Sequence, residues 1–404
     1  MGESDRVDGS PPGFPDGFFE GHREELVAFR RHLHAHPELS GFEVETTALV
    51  AERLRAAGFE PSVLSSGTGL LCVIGDGDGP LVALRADIDA LAMTDDKDVP
   101  YRSRVPGVAH ACGHDVHTTV VLGAGLALAG RLGNGRVRLI FEPSEETVPG
   151  GAVTVIEDGG LDGVGAIVAF HCDPKLDVGL IGTRVGAITS ATDAVTIRLH
   201  GPGGHTARPH LTVDLVSLVG RVAAELPAAV RSRAPDGSEL LLAFGAIHAG
   251  DAANVIPAAA ELRGSLRTPD AGLWARAPEI LDAALDALLG SSDATWEVEY
   301  ARGTPPVING AAETRVLEQA VLAVLGADAL TEAPQSMGGD SFAWYLERVP
   351  GSYARLGVHD PGRGDDRLDI HASTFDVHED AIEIGVRVLV EAALRLIAER
   401  SAAA

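Results

Sequence analysis

Val137-Arg-Leu-Ile-Phe-Glu-Pro-Ser-Glu-Glu146 decides how this chain folds. A short apolar run of the kind buried in a sheet leads straight into three acids, Glu142, Glu145 and Glu146. The pattern recurs: Ala166-Ile-Val-Ala-Phe170 ends at His171, and Leu81-Val-Ala-Leu84 ends at Arg85-Ala-Asp87-Ile-Asp89. In open α/β sheets, ligands bind beyond the carboxyl ends of the strands, so these distant residues are expected to converge. A fourth stretch, His110-Ala-Cys-Gly-His-Asp115, sets a thiol and an imidazole, Cys112 and His114, two residues apart. Thiolate and imidazole are the ligands that borderline metals such as zinc prefer.

Outward from these strands the chain alternates helix and apolar strand, the pattern of an α/β sheet. A helix is expected from near residue 21 to about 34, ended by Pro37, and another over 43–57, capped by Gly58. A long apolar helix is expected over 116–132. Near Thr189 the texture changes. Residues 193–200 alternate with period two, as a half-solvated strand does. A helix over 213–230, alternating runs over 239–249 and 258–266, a helix over 273–289 and a strand over 295–300 follow. Strand–helix–strand–strand–helix–strand is a small ferredoxin-like α+β sandwich. The α/β pattern resumes after Pro305. The expectation is therefore a disordered lead-in over 1–19, one domain over 20–188 and 303–404, and a second inserted over 189–302.

The chain has 404 residues, 45% of them hydrophobic, enough for two cores. Its formal charge of -26 and pI near 4.8 argue against binding nucleic acid or an anionic membrane, both of which want a basic surface. No apolar run reaches membrane-spanning length. The first residues are acidic and rich in Pro and Gly, without the basic start and apolar core of a secretion signal. Cys72, Cys112 and Cys172 are too few for a disulfide scaffold, and a reducing cytoplasm is expected.

Six motifs then occur in order: Arg85-Ala-Asp-Ile-Asp-Ala-Leu91, His110-Ala-Cys-Gly-His-Asp115, Glu142-Pro-Ser-Glu-Glu146, Gly203-Gly-His-Thr-Ala-Arg-Pro-His210, Asn254-Val-Ile-Pro257 and Leu368-Asp-Ile-His371. Together they resemble the M20 metallopeptidase family over about residues 20–395. The nearest branch is the amidohydrolases that include hippurate hydrolase, N-acyl-amino-acid deacylases and auxin-conjugate hydrolases. The resemblance implies a catalytic domain with an inserted lid that often carries a homodimer interface, and two divalent metal ions. It implies Cys112, His114, Glu146, His171 and His371 as ligands, with Cys112 bridging, and Glu145 as general base. Asp87 and Asp89 would orient ligands without binding metal. In the inserted domain it implies His205 as a donor to the oxyanion, typically in the partner subunit's site, and Asn254 and Arg267 as substrate contacts. A bidentate grip of Arg267 on an α-carboxylate fits that role.

Each motif has a plainer reading in isolation. Glu145-Glu146 alone reads as a solvated pair, and His171 as a core histidine. His32, His34 and His36 fall on the first helix and its end, and read as structural. Some positions depart from the family: Ala92 replaces a usual proline, Glu142 a common glutamine, and Met337-Gly-Gly-Asp-Ser-Phe342 stands where Met-Gly-Ser-Glu-Asp-Phe is usual. The expected activity is hydrolysis of a small-molecule N-acyl amino acid. A dipeptidase or an N-acetyl-diaminopimelate-type deacetylase is the nearest alternative, and a silent metal-binding scaffold the more distant one. Zinc suits the donors, but manganese, cobalt and nickel fit them too.

Overall fold

The computed structural model describes residue 14 and residues 17–403. The chain divides into two compact units. The first runs to Gly186 and takes in Ile308–Pro334 and Trp344 onward; the second comprises Ala187–Val307 and Gln335–Ala343. Each has its own hydrophobic core. Among the described residues, no helix is long and apolar enough to cross a membrane.

The first unit is built on an eight-stranded sheet. In spatial order its strands are Ser62–Val63, Leu70–Ile74, Arg136–Glu142, Leu81–Asp87, Val164–Asp177, Gly351–His359, Ile181–Thr183 and Leu330–Glu332. The four central strands, Arg136–Glu142 through Gly351–His359, run parallel. Leu81–Asp87 is buried at every residue, which is why it reads as an unbroken apolar run rather than an alternating one. The helix His114–Leu128 packs beside the C-terminal helix Asp380–Ala403, and both lie against this sheet. Gly123 permits that approach, since a Cβ there would sit 2.7 Å from Val386 Cγ2.

The expected lead-in over 1–19 lies mostly outside the described residues. Its last two residues do not fit the expectation: the first helix is Phe18–Ala35, beginning ahead of residue 21 because Phe18 and Phe19 are buried in the core.

The second unit is an antiparallel sheet in the order Leu241–His248, Ala259–Thr268, Ala191–His200, Thr295–Thr304. Helix Leu215–Arg231 presents the stripe Leu215, Val219, Val222, Leu226 and Val230 to its core, and helix Ala271–Leu289 packs beside it. This is the ferredoxin-like α+β arrangement. The segment Gln335–Ala343 also belongs here, beyond the expected 189–302. It is tied on by backbone groups: Ser190 N–H donates to Gly338 O at 2.8 Å, and Arg267 Nη1 to Met337 O at 2.7 Å.

A buried ionic cluster fixes the first helix of the first unit. Arg30 is fully buried; its Nε lies 2.7 Å from Asp115 Oδ2, and its Nη2 3.4 Å from Asp376. Burial opposes its charge, but Asp115 and Asp376 more than restore it. His34 Nδ1 also meets Asp115 Oδ2 at 2.7 Å, which makes His34 structural. Arg30→Ala would strand Asp115 without its cation and is expected to cost about 3–5 kcal/mol. Arg31→Ala breaks a solvent-accessible pair with Glu379 and a contact with the Tyr101 ring, and should cost only about 1 kcal/mol. Urea unfolding of both variants checks this, and equal losses would contradict it.

Candidate metal centre

The helix that carries His114 starts at that residue, not at 116 as the apolar pattern suggests. Gly113 sets the start. It takes φ +90°, and a Cβ on it would lie 2.7 Å from Cys172 Sγ, so only glycine fits both the turn and the contact. Cys112 and His114 are thereby placed on either side of a tight bend.

Four chain segments meet there. The donor atoms of Cys112, His114 and His171 lie within 4.8 Å of one another, as do those of Cys112, Glu146 and His371, and those of His114, Glu145 and Glu146. Cys112 Sγ is 3.4 Å from His171 Nε2, and His371 Nε2 is 3.2 Å from Glu146 Oε1. His114 Nε2 is 3.9 Å from Glu146 Oε1 and 3.7 Å from Asp87 Oδ2. Five residues separated by up to 259 positions in sequence, from Cys112 to His371, therefore share one cluster, and Glu145 sits at its edge.

The partners of the rings decide which nitrogens point inward. His114 Nδ1 donates toward Asp89, 3.0 Å from its carbonyl and 3.1 Å from Oδ1, so Nε2 faces the cluster. That Nε2 is buried and makes no hydrogen bond of normal geometry. His171 Nδ1 donates to Cys172 O at 2.7 Å, which leaves its Nε2 for Cys112. Lone pairs thus face thiol and carboxylates in a largely buried cluster, an arrangement that a proton or a cation reconciles.

The electrostatics agree. Burial works against a charge on His114, yet Asp87 and Cys112 hold its pKa well above the ordinary value. Burial pushes the Cys112 thiol up, with His114 opposing. Burial, then Arg355, pushes His171 well below the ordinary imidazole value. Burial disfavours the charged form of Asp87 and Asp89, but His114 beside both, with Arg85 on Asp87, keeps them ionised. A donor set of thiol, imidazoles and carboxylate fits a divalent cation, and binding one would displace protons.

Local strain concentrates here. Among the described residues, the non-glycine positions with positive φ are Ser144, at +55°, and His371, at +59°. His371 is held by its own N–H, which donates to Ala111 O at 2.7 Å. Ser144 N–H donates to the buried Glu43 Oε1 at 2.7 Å, turning the chain so that Glu145 and Glu146 follow. Asp89 Oδ2 receives Glu146 N–H at 3.0 Å and Ser40 Oγ–H at 2.7 Å. Glu43 and Ser40 were not visible as site residues in the sequence: their partners lie 101 and 49 positions away. His117 did carry a signal, three residues after His114 on the same helix face.

The remaining expected residues lie in the second unit. His205 pairs with Val255 across a two-residue ladder, and Thr206 N–H donates to Asn254 O at 3.3 Å, so His205 and Asn254 are neighbours. His205 Nδ1 accepts Ala207 N–H at 3.0 Å, which leaves Nε2–H as a donor in the neutral ring. Arg267 Nη1 is engaged by Met337 O and Thr192 Oγ. The glycine that departs from the family pattern, Gly339, has a local reason. A Cβ there would meet Thr192 Oγ at 2.7 Å and Thr304 Oγ at 2.9 Å.

Comparison with known proteins places this arrangement. Residues 83–395 match the family described as Peptidase family M20/M25/M40. A protein of Rhodococcus jostii named "Putative glutamate--cysteine ligase 2-3" is 47% identical over 91% of this chain, which spans only 46% of that protein's length. An N-acetyl-L-cysteine deacetylase of Bacillus subtilis is 34% identical over 93% of this chain and 88% of its own. The solved structure of the Bacillus subtilis YXEP protein, described as a dinuclear metal binding peptidase from the M20 family, is 31% identical. It covers 94% of this chain and 99% of its own, with a TM-score of 0.83. With a matching family over most of its length and relatives above 30% identity, the chain belongs to the peptidase family M20/M25/M40 and is a metal-dependent hydrolase.

Proposed function

We propose that this protein hydrolyses the amide bond of an N-acyl amino acid, releasing a carboxylic acid and the amino acid. The observation that carries the reading is the convergence of Cys112, His114, Glu146, His171 and His371 with Glu145 beside them. In this reading the five would hold two divalent cations, and Cys112 offers a donor to both the His114–His171 and the Glu146–His371 groups. Zinc suits the donors; manganese, cobalt and nickel are the alternatives. When bound, such a pair makes water acidic and stabilises the oxyanion of a tetrahedral intermediate.

The chain's own groups do the rest. Glu145 takes a proton from the attacking water and returns it to the leaving nitrogen, base and then acid in turn. Asp89 holds the His114 ring and the Glu146 backbone together, so both keep their aim. His205 donates from Nε2 to the oxyanion, and Asn254 and Arg267 bind the substrate, Arg267 through its carboxylate. A homodimer formed through the second unit is part of the same reading. The acyl amino acid as substrate is supported by the deacetylase relative, which covers nearly the whole chain.

A panel of N-acetyl and N-benzoyl amino acids and dipeptides, assayed for free amino acid with and without chelator, tests the proposal. Chelator-sensitive release from the acyl amino acids is expected. Release from dipeptides alone would replace the substrate class, and no release from any would overturn the reading.

A further inference from the structure

His117 lies within reach of the metal centre: its ring, that of His114 and the carboxylate of Asp87 offer donor atoms within 4.8 Å of one another. By proximity alone it is a sixth ligand. Its hydrogen bonds say otherwise. Nδ1 donates to Asp87 Oδ1 at 2.6 Å, and Nε2 accepts the backbone N–H of Cys172 at 2.8 Å. Both ring nitrogens are spent, and the acceptance from an amide fixes the proton on Nδ1.

The Cys172 amide needs that acceptor. Pairing between Val164–Asp177 and Leu81–Asp87 ends at Ala169 opposite Arg85. Three residues further on, the His117 ring takes the N–H that this ladder no longer satisfies. On its other side the ring joins a buried chain. Asp87 Oδ2 receives Arg85 Nη1 at 2.6 Å, Arg85 Nε donates to Glu142 Oε2 at 2.7 Å, and Tyr345 O–H donates to the same oxygen at 2.9 Å. The Asp87, Arg85 and Glu142 side chains are fully buried, and His117 nearly so.

We infer that His117 is a positioning residue, not a ligand: it is the link through which a buried Glu142–Arg85–Asp87 brace reaches the strand that carries His171. Each end of the brace is adjacent to site residues. His117 stands one helical turn after His114, Cys172 directly follows His171, and Glu142 precedes Glu145 and Glu146 by three and four residues. The brace therefore sets the spacing between ligands delivered by two strands and a helix. The inference rests on the metal reading above for its effect, but the brace itself consists of hydrogen bonds among the chain's own residues.

The test compares full-length wild type, His117→Ala, His117→Gln and His171→Ala. Two readouts are used: metal affinity and stoichiometry by chelator competition with zinc, and amide hydrogen exchange in the metal-free protein. In His117→Ala, exchange at Cys172 is expected to accelerate. Zinc affinity should fall about 10–100-fold, as for loss of an outer partner, with two zinc still bound at saturation. His117→Gln, whose carbonyl can take the Cys172 N–H, should recover the amide protection and part of the affinity. A variant that holds one zinc fewer at saturation makes His117 a ligand and overturns the inference. So does unchanged exchange and affinity in His117→Ala. A wild type that binds no zinc, or a His171→Ala protein that binds it normally, overturns the metal reading instead. The exchange at Cys172 then still decides whether the brace exists.

Discussion

Glu145→Ala is expected to keep its full metal content and lose about 10²–10⁴-fold in kcat, the range that a positioned general base supplies. The prediction turns on the division of labour between adjacent carboxylates. Glu146 is the one that faces the imidazoles, 3.2 Å from His371 Nε2 and 3.9 Å from His114 Nε2, and its backbone is tied to Asp89. Glu145 joins only the His114 and Glu146 group and neither group containing Cys112. Removing it should leave the donors that meet at the thiol untouched. Metal analysis and steady-state kinetics on the same preparation check this. Near-normal turnover would remove Glu145 from the mechanism, and metal loss matching that of Glu146→Ala would make it a ligand.

Cys112→Ala is expected to weaken metal binding by more than the about 10–100-fold that follows loss of an outer partner, and turnover should fall with it. The thiol is the donor common to the His114–His171 group and the Glu146–His371 group, so its loss is felt by both. The substitution removes one buried atom and adds none, so folding should survive it. Titrating the apo variant with zinc, with unfolding monitored in parallel, separates the two effects. A variant that loses only one of two metals would show that the sulfur serves a single cation. A variant with normal uptake would remove Cys112 from the ligand set.

Much of this site could be read before the structure. Three buried strands announce themselves as apolar runs, and the acids and histidine that follow them land together because parallel strands deliver their C-terminal ends to one edge. The second unit was legible for the opposite reason: its strands are covered on one face, so they alternate. What escaped depends on contacts that leave no periodic trace. The helix begins at His114 because Gly113 adopts φ +90° against Cys172, and the apolar pattern starts later, at Val116. The first helix starts early because Phe18 and Phe19 find a core. Gln335–Ala343 joins the second unit through bonds to its carbonyls, which any sequence could supply. Glu43 and Arg30 act by long-range contacts, Glu43 with Ser144 and Arg30 with Asp115 and Asp376. His117 carries a signal of its own kind, an imidazole three residues after His114 on the same helix.

The most direct test of the account measures metal per chain and amide hydrolysis in the same samples. A chelator strips the protein, and zinc, manganese, cobalt or nickel is then returned in steps. The account predicts up to two metals per chain, no release of amino acid from the stripped protein, and activity that returns with the metal. Full turnover by a chain verified to hold no metal would contradict it.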